Sequence, residues 1–219
     1  MKGLWRDVVL LFGWWKKGIQ SRIPDLAYPL WIGLILLIFL FANDSALLEA
    51  SRYNDESSWI HQLARGISHW GDFYTGSLII VGLIWAMGWI RKRRSWRMAA
   101  LSILAAAATA GIAVNVVRLT VGRPRPSSGL PDGLYGLHWD SGYHGFPSGH
   151  AATSMGTASA VAYCYPPVAV PALILGFSVC WSRIELNRHH WTDILAGSGL
   201  GITCGYLLAY RRRKRHPSE

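Results

Sequence analysis

The chain has 219 residues, 51% of them hydrophobic and only 16% charged, with a positive mean hydropathy; this is too apolar for a soluble domain of its size. A net charge of +10 raises the question of nucleic acid. The basic residues, however, sit in short clusters beside apolar runs with no nucleic-acid motif, so a membrane surface is the better explanation. The expectation is a single all-α integral-membrane domain over residues 1–219, surrounded by membrane lipids and without a nucleic-acid partner.

Residues 1–20 place Leu4, Val8, Leu11, Phe12, Trp15 and Ile19 at helical spacing beside Lys16 and Lys17, the pattern of an N-terminal interfacial amphipathic helix. Charges interrupt the apolar stretch and no small-residue cleavage site follows, which argues against a signal peptide. Six apolar runs come next, at about 26–42, 73–90, 98–117, 150–166, 167–181 and 193–210. Each approaches the roughly 17–25 residues that a helix needs to cross a bilayer, so the expected architecture is a bundle of six transmembrane helices. Between the first two runs, Ile60, Leu63, Ile67 and Trp70 share one helical face, the pattern of a surface helix that packs over the bundle or walls a lipid cleft. Pro166-Pro167 demands a tight turn between the fourth and fifth runs. Cys164, Cys180 and Cys204 all fall inside apolar runs and read as embedded small hydrophobes.

Lys2, Arg6, Lys16, Lys17, Arg22, Arg91, Lys92, Arg93, Arg94, Arg97, Arg211, Arg212, Arg213, Lys214 and Arg215 fall on one side of such a bundle. Only Arg52, Arg65, Arg118, Arg123, Arg125, Arg183 and Arg188 fall on the other. The positive-inside rule then predicts cytoplasmic termini, with loops 118–149 and 182–192 both on the non-cytoplasmic face. Trp14, Trp15, Trp31, Trp89, Trp96 and Trp191 lie near predicted span ends, as an aromatic belt requires.

Those two loops carry the chemistry. Arg118, Arg123 and Arg125 stand within eight residues beside two stiffening prolines, and guanidinium forks bind phosphate oxygens bidentately. Taken alone, such a cluster is also a lipid-headgroup anchor. Pro147-Ser148-Gly149-His150 precedes the fourth run: a glycine for close backbone approach, a hydroxyl donor, a proton-transferring imidazole and the free N–H groups of a helix start. It reads equally as a turn into a helix cap. Ser182 to Asp193 packs two arginines, two histidines and two acids into twelve residues, a charge density that is rarely filler at membrane depth. On a helix, the i,i+4 spacing of His189 and Asp193 would let the carboxylate hold one imidazole nitrogen and leave the other free. The competing reading is a capped helix start with interfacial cations.

Together, Arg118-x6-Arg125-Pro126, Pro147-Ser148-Gly149-His150 and Ser182-Arg183-x5-His189-x3-Asp193 resemble the three-part signature of the type 2 phosphatidic acid phosphatase superfamily. Order, spacing and placement at span ends all agree within residues 118–193. Arg118 stands where the family usually has lysine, which keeps the charge and alters the donor geometry. The resemblance implies a metal-independent lipid phosphatase without cofactors. His189 would attack phosphorus to give a phosphohistidine, with Asp193 orienting it and His150 acting as general acid and then base. Arg118, Arg125 and Arg183, with Ser148 and the Gly149 N–H, would hold the phosphate oxygens. The expected substrate is a phospholipid or polyprenyl lipid phosphate of the phosphatidate, phosphatidylglycerophosphate, undecaprenyl pyrophosphate or lipid A type, met at the outer leaflet of a bacterial-type inner membrane.

Three alternatives stand beside it. A lipid phosphotransferase would use the same intermediate, a haloperoxidase would share the anion pocket but be soluble, and a non-catalytic lipid-binding or anion-transport protein would need the arginines alone. His190 lacks the x3-Asp spacing and reads as interfacial. Arg123 and Arg188 either supplement the anion site or face solvent and headgroups. His138 and His144 have no ligand spacing, and the Gly-rich loop 127–146 around them is expected to be a mobile cover over the site.

Overall fold

A computed structural model describes residues 2–53 and 55–210. Among the described residues, eight α-helices make up the fold: α1 (Lys2–Phe41), α2 (Asp44–Ser51), α3 (Trp59–Trp70), α4 (Leu78–Ile90), α5 (Arg94–Val121), α6 (Gly149–Cys164), α7 (Ala169–Glu185) and α8 (Trp191–Leu208). A π-helical turn, Phe73–Ser77, leads into α4, and no named strand occurs among the described residues. Among the described residues, four stretches are long and apolar enough to cross a membrane: Trp5–Phe41, Phe73–Ile90, Arg94–Val121 and Pro166–Glu185.

α6 and α8 form the bundle's centre, with α6 against α5, α7 and α8. Both are rich in small residues, and in a membrane this lets backbones approach where apolar burial offers no driving force between helices. A methyl group on Gly197, Gly201 or Gly205 would strike Ser148 O, Ala152 O or Ser159 Oγ of α6. This i,i+4 glycine row sets the α6–α8 distance and hence the separation of His150 from His189. α5 meets α6 through Ala106, Ala107 and Ala110, all fully buried, and its alanine content also gives it strong intrinsic helicity.

α1 differs from the expected amphipathic helix followed by a separate span, since it runs unbroken through Pro24 and Pro29. At 40 residues it is about 60 Å long. Its first half is held by polar contacts: Asp7 pairs with Arg94 at 2.6 Å, Trp15 Nε1 donates to Leu208 O at 2.8 Å, and Arg22 donates to the Tyr206 carbonyl at the end of α8. Arg22 also caps the last α8 carbonyls as a cation near a helix C-terminus should. Arg211 to Arg215, counted in the charge asymmetry, lie outside the described residues.

α3 packs on α7 as a surface helix, with its polar side inward. His61 and Ser68 are buried while Trp59, Leu63 and Trp70 are exposed. Glu185 of α7 accepts the Tyr53 N–H at 3.0 Å, and Ser68 accepts from Arg183. α7 extends four residues past the predicted end of its apolar run and so carries Ser182, Arg183 and Glu185 as helical, buried residues. Because α5 and α7 end where α6 and α8 begin, the signature motifs converge at one end of the bundle. The three cysteines are free.

Candidate active site

α5 stops at Gly122, whose φ of +60° is the left-handed C-cap conformation and whose N–H returns to Arg118 O. The chain then passes Arg123-Pro124-Arg125 in extended form, which turns successive side chains to opposite sides. Loop 127–146, expected as a mobile cover, is pinned back by backbone hydrogen bonds. Arg125 N donates to Gly142 O at 2.9 Å, Gly145 N to Arg123 O at 2.7 Å, Tyr135 N to Gly122 O at 3.1 Å and His138 N to Leu119 O at 3.0 Å. His138 stacks on Tyr143 with ring centroids 4.1 Å apart.

α5, the start of α6, the end of α7 and the turn before α4 line an open cavity of about 500 Å³, to which loop 127–146 contributes no lining residue. Its polar end brings together Arg118, Arg125, Gly149, His150, Arg183 and His189. Its other walls are the α5 face of Ala107, Ala108, Gly111, Ile112 and Asn115, and the turn Asp72-Phe73-Tyr74. A Cβ on Gly149 would collide with the Arg118 guanidinium, so glycine is what admits that cation beside the N-terminus of α6. No carboxylate lies within ion-pair distance of Arg118, Arg125 or Arg183 among the described residues. Burial, and then the neighbouring Arg188, push the Arg125 pKa down. Cations short of counterions around a cleft form an anion site. Ser148 does not line this cavity: it is fully buried, and its Oγ caps α6 by accepting from Ala151 N at 3.4 Å. His150 Nε2 lies 3.9 Å from Asp72 Oδ1, a carboxylate that the sequence gave no reason to single out.

His189 is 3% exposed, and its Nδ1 lies 2.7 Å from Gly145 O. A carbonyl can only accept, so Nδ1 carries the proton and Nε2 keeps its lone pair. The condition that the pair share a helix is not met, because His189 precedes α8. Asp193 Oδ2 stands 3.6 Å from Nδ1, beyond a hydrogen bond, and so supports the ring electrostatically while Gly145 fixes the tautomer. Burial, reinforced by Arg183 and Arg125 and opposed by Asp193, holds the His189 pKa down to about 4. The imidazole is therefore neutral at pH 7.

Asp193 is also the N3 residue of α8 and accepts the His190 N–H at 2.8 Å, so the capped-helix reading and the functional one describe the same carboxylate. Arg123, expected either to supplement the anion site or to face solvent and headgroups, and His190, expected to be interfacial, are both buried. Arg123 is 0% exposed and pairs with Asp44, Asp132 and Asp193. His190 is buried with Nδ1 3.6 Å from Asp193 Oδ2. Arg188 is exposed, as one of its two readings required. Among the described residues no three His, Cys, Asp or Glu side chains group as a metal site.

Cations and two imidazoles gathered at one end of apolar helices define a phosphate-handling enzyme of a helical membrane fold. The chain belongs to the PAP2 superfamily of phosphoric ester hydrolases, whose family model matches residues 99–217. It is 35% identical over 149 residues to the decaprenylphosphoryl-5-phosphoribose phosphatase of Mycobacterium tuberculosis, covering 66% of this chain and 76% of that one. It is 26% identical over 102 residues to a lipid A 1-phosphatase of Rhizobium johnstonii, covering 45% of this chain and 42% of that one. The fold is similar to that of a PAP2-type phosphatidylglycerolphosphate phosphatase from Bacillus subtilis. There the TM-score is 0.63 at 22% identity, over 82% of this chain and 91% of the other. It is also similar to Aquifex aeolicus LpxE, with a TM-score of 0.57 at 19% identity over 74% and 92% of the respective chains.

Proposed function

We propose that this protein hydrolyses a lipid phosphomonoester or pyrophosphate through a phosphohistidine on His189, without a metal ion. The observation that carries the reading is the Nδ1–Gly145 O contact, which leaves the His189 Nε2 lone pair among Arg118, Arg125 and Arg183. Nε2 attacks phosphorus as the P–O bond to the lipid breaks, and His150 protonates the departing oxygen. Water, deprotonated by His150, then cleaves the P–N bond and releases inorganic phosphate. The three guanidinium groups and the Gly149 N–H stabilise charge on the phosphoryl oxygens, whereas Ser148, expected to join them, caps α6 from behind the cavity. Asp193 stabilises the imidazolium that forms during attack.

The cavity suits a lipid because its cationic end continues into the apolar face of α5. The 35% identical relative is named for a polyprenyl-linked phosphosugar, which makes that class the first to assay. The protein would cross a bacterial-type inner membrane six times, and the charge asymmetry supports cytoplasmic termini with the site facing the outer leaflet. The test is phosphate release from decaprenylphosphoryl-5-phosphoribose, phosphatidate, phosphatidylglycerophosphate, undecaprenyl pyrophosphate and lipid A in detergent with excess chelator. Turnover should persist and vanadate should inhibit it, since its trigonal-bipyramidal form mimics the transition state. Loss with chelator and recovery with magnesium would overturn the mechanism.

A further inference from the structure

Arg123 is the largest fully buried side chain among the described residues. Its Nη1 donates to Asp193 Oδ1 at 2.8 Å, Thr192 Oγ1 at 2.8 Å and Asp44 Oδ2 at 3.0 Å, while Nε and Nη2 fork onto Asp132 at 3.2 Å each. The Phe41 ring covers the guanidinium at 4.5 Å. Asp44 is equally committed: it accepts Thr192 N at 3.2 Å and the Thr192 hydroxyl. Neither Arg123 nor Asp44 lines the phosphate cavity. Asp193 thus has both oxygens occupied, Oδ1 by Arg123 and Oδ2 by the His190 N–H, and its distance to His189 is set from behind.

We propose that Arg123 and Asp44 are positioning residues for the hydrolysis, a buried relay in which Asp44 orients Arg123, Arg123 orients and partly neutralises Asp193, and Asp193 thereby tunes His189. The inference rests on His189 being the nucleophile. It also assigns a function to the junction of α1 and α2, since Asp44 lies outside the segment that matches the family. The balance of charge gives the relay its purpose. Asp193 without Arg123 would favour the imidazolium and lose the partner that fixes its orientation, whereas Arg123 unopposed would cancel the field that stabilises the imidazolium formed during attack. With Asp44 and Asp132 sharing Arg123, Asp193 keeps part of its charge. Burial works against the Arg123 charge, but Asp193, then Asp132 and Asp44, more than offset it and hold its pKa above the ordinary value.

The groups facing His189 from the packed elements are Arg118 on α5, Arg125, His150 on α6, Arg183 on α7, Asp193 on α8 and, across the cavity, Asp72. Against that fixed set, the two substitutions act with opposite sign. Asp44→Asn keeps the shape and the oxygen that accepts the Thr192 N–H but puts an amide NH2 where the Thr192 hydroxyl and Arg123 find the second oxygen; Arg123 is left less compensated, so the acid limb of kcat/KM should move down by roughly 0.5 pH unit. Arg123→Gln frees the Asp193 charge, so that limb should move up by roughly 1 pH unit. In both, kcat should fall while KM and the affinity for vanadate stay within about twofold of the parent, since no phosphate contact is lost. The measurement is the pH profile of the full chain in detergent, with thermal midpoints recorded at each pH.

Should Arg123→Gln fail to fold, the isosteric Asp44→Asn decides alone. An unmoved limb, an upward shift, or a raised KM with intact kcat would overturn the relay. Full activity in His189→Ala would instead break the reading on which it rests, whereas an inactive His189→Ala beside an unmoved Asp44→Asn limb would break the relay only.

Discussion

Arg123 and Arg125 stand two residues apart on extended backbone and meet opposite environments. Arg125 points into the cavity, where its neighbours are other cations, while Arg123 points into the protein, where three carboxylates and the Thr192 hydroxyl take up its donors. An arginine left short of counterions is available to a ligand; one saturated with them is part of the frame that holds the ligand groups. The same division holds across the whole site. Arg118, Arg125, Arg183, His150 and His189 face the cavity, and Arg123, Asp44, Thr192, Ser148 and His190 lie behind it. A buried ion pair need not stabilise the fold, yet removing one member leaves an unpaired charge, at a cost of about 3–5 kcal/mol.

The largest effects should therefore fall on the cavity side and on activity alone. His189→Ala removes the atom that bonds to phosphorus, so turnover should fall on the order of 10⁵-fold or more and no phosphoenzyme should form on any substrate. His150→Ala loses proton transfer only, worth roughly 10²–10⁴-fold, and an activated aryl phosphate, whose leaving group needs no proton, should restore part of it. The comparison is rapid-quench phosphoenzyme trapping beside steady-state rates on lipid and aryl phosphates. Aryl rescue of His189→Ala, or phosphate trapped on His150 or His190, would mean that the nucleophile is another histidine.

Arg123 and Arg125 give the next test. Arg125→Ala should cost roughly 10²–10³-fold in kcat while leaving the thermal midpoint unchanged or raised, because it relieves repulsion from Arg188. Arg123→Met should lower the unfolding free energy by about 3–5 kcal/mol, since Asp44 and Asp193 are left buried without a cation. Denaturation and kinetics on the same preparations check both. Equal losses of stability in the two variants would erase the distinction between binding and framing arginines.

The pH profile follows from the cavity side and is smaller. His189 attacks only when neutral, and burial holds its pKa down to about 4. The acid limb of kcat/KM, which reports the free enzyme, should therefore fall only as pH drops through about 4. A limb near 6.5 would show that water or lipid relieves the burial of His189.

The cavity side was legible in the sequence because each of its pieces is short: Arg118 to Arg125, Pro147 to His150, and Arg183 to Asp193 each span a few turns. The frame behind it was not. Asp44 lies 79 residues from Arg123, and nothing in Phe41-Ala42-Asn43-Asp44 distinguishes a buried carboxylate from an ordinary span end. His190 was read by its failed spacing, yet the turn before α8 buries both histidines against the same carboxylate. Gly145 could not be found at all, since a backbone carbonyl carries no side-chain signature. The glycine row of α8 stands at i,i+4 spacing in the sequence, but within an apolar run that spacing does not say which helix it meets. α1 was divided because its composition changes near Ile23, although a helix has no need to end where its surroundings change.

The smallest effect should come from Gly149, where the two sides touch. An alanine there would press its methyl group on the Arg118 guanidinium, but that guanidinium is the far end of a flexible side chain and can retreat. The fold should tolerate Gly149→Ala. Retreat of a phosphate-binding cation by about an ångström can cost up to roughly 10²-fold, and because the helix N-terminus remains, a loss nearer tenfold in kcat/KM is expected. The ammonium of lysine is more compact than the guanidinium fork and needs no fixed plane. Arg118→Lys should therefore cost little by itself and make room for the methyl group, so that the double variant loses less than the sum of the two singles. A double-mutant cycle on kcat/KM measures that coupling directly. Strict additivity would show that the Gly149 position is constrained by backbone approach to the phosphate itself, and that Arg118 is only a neighbour.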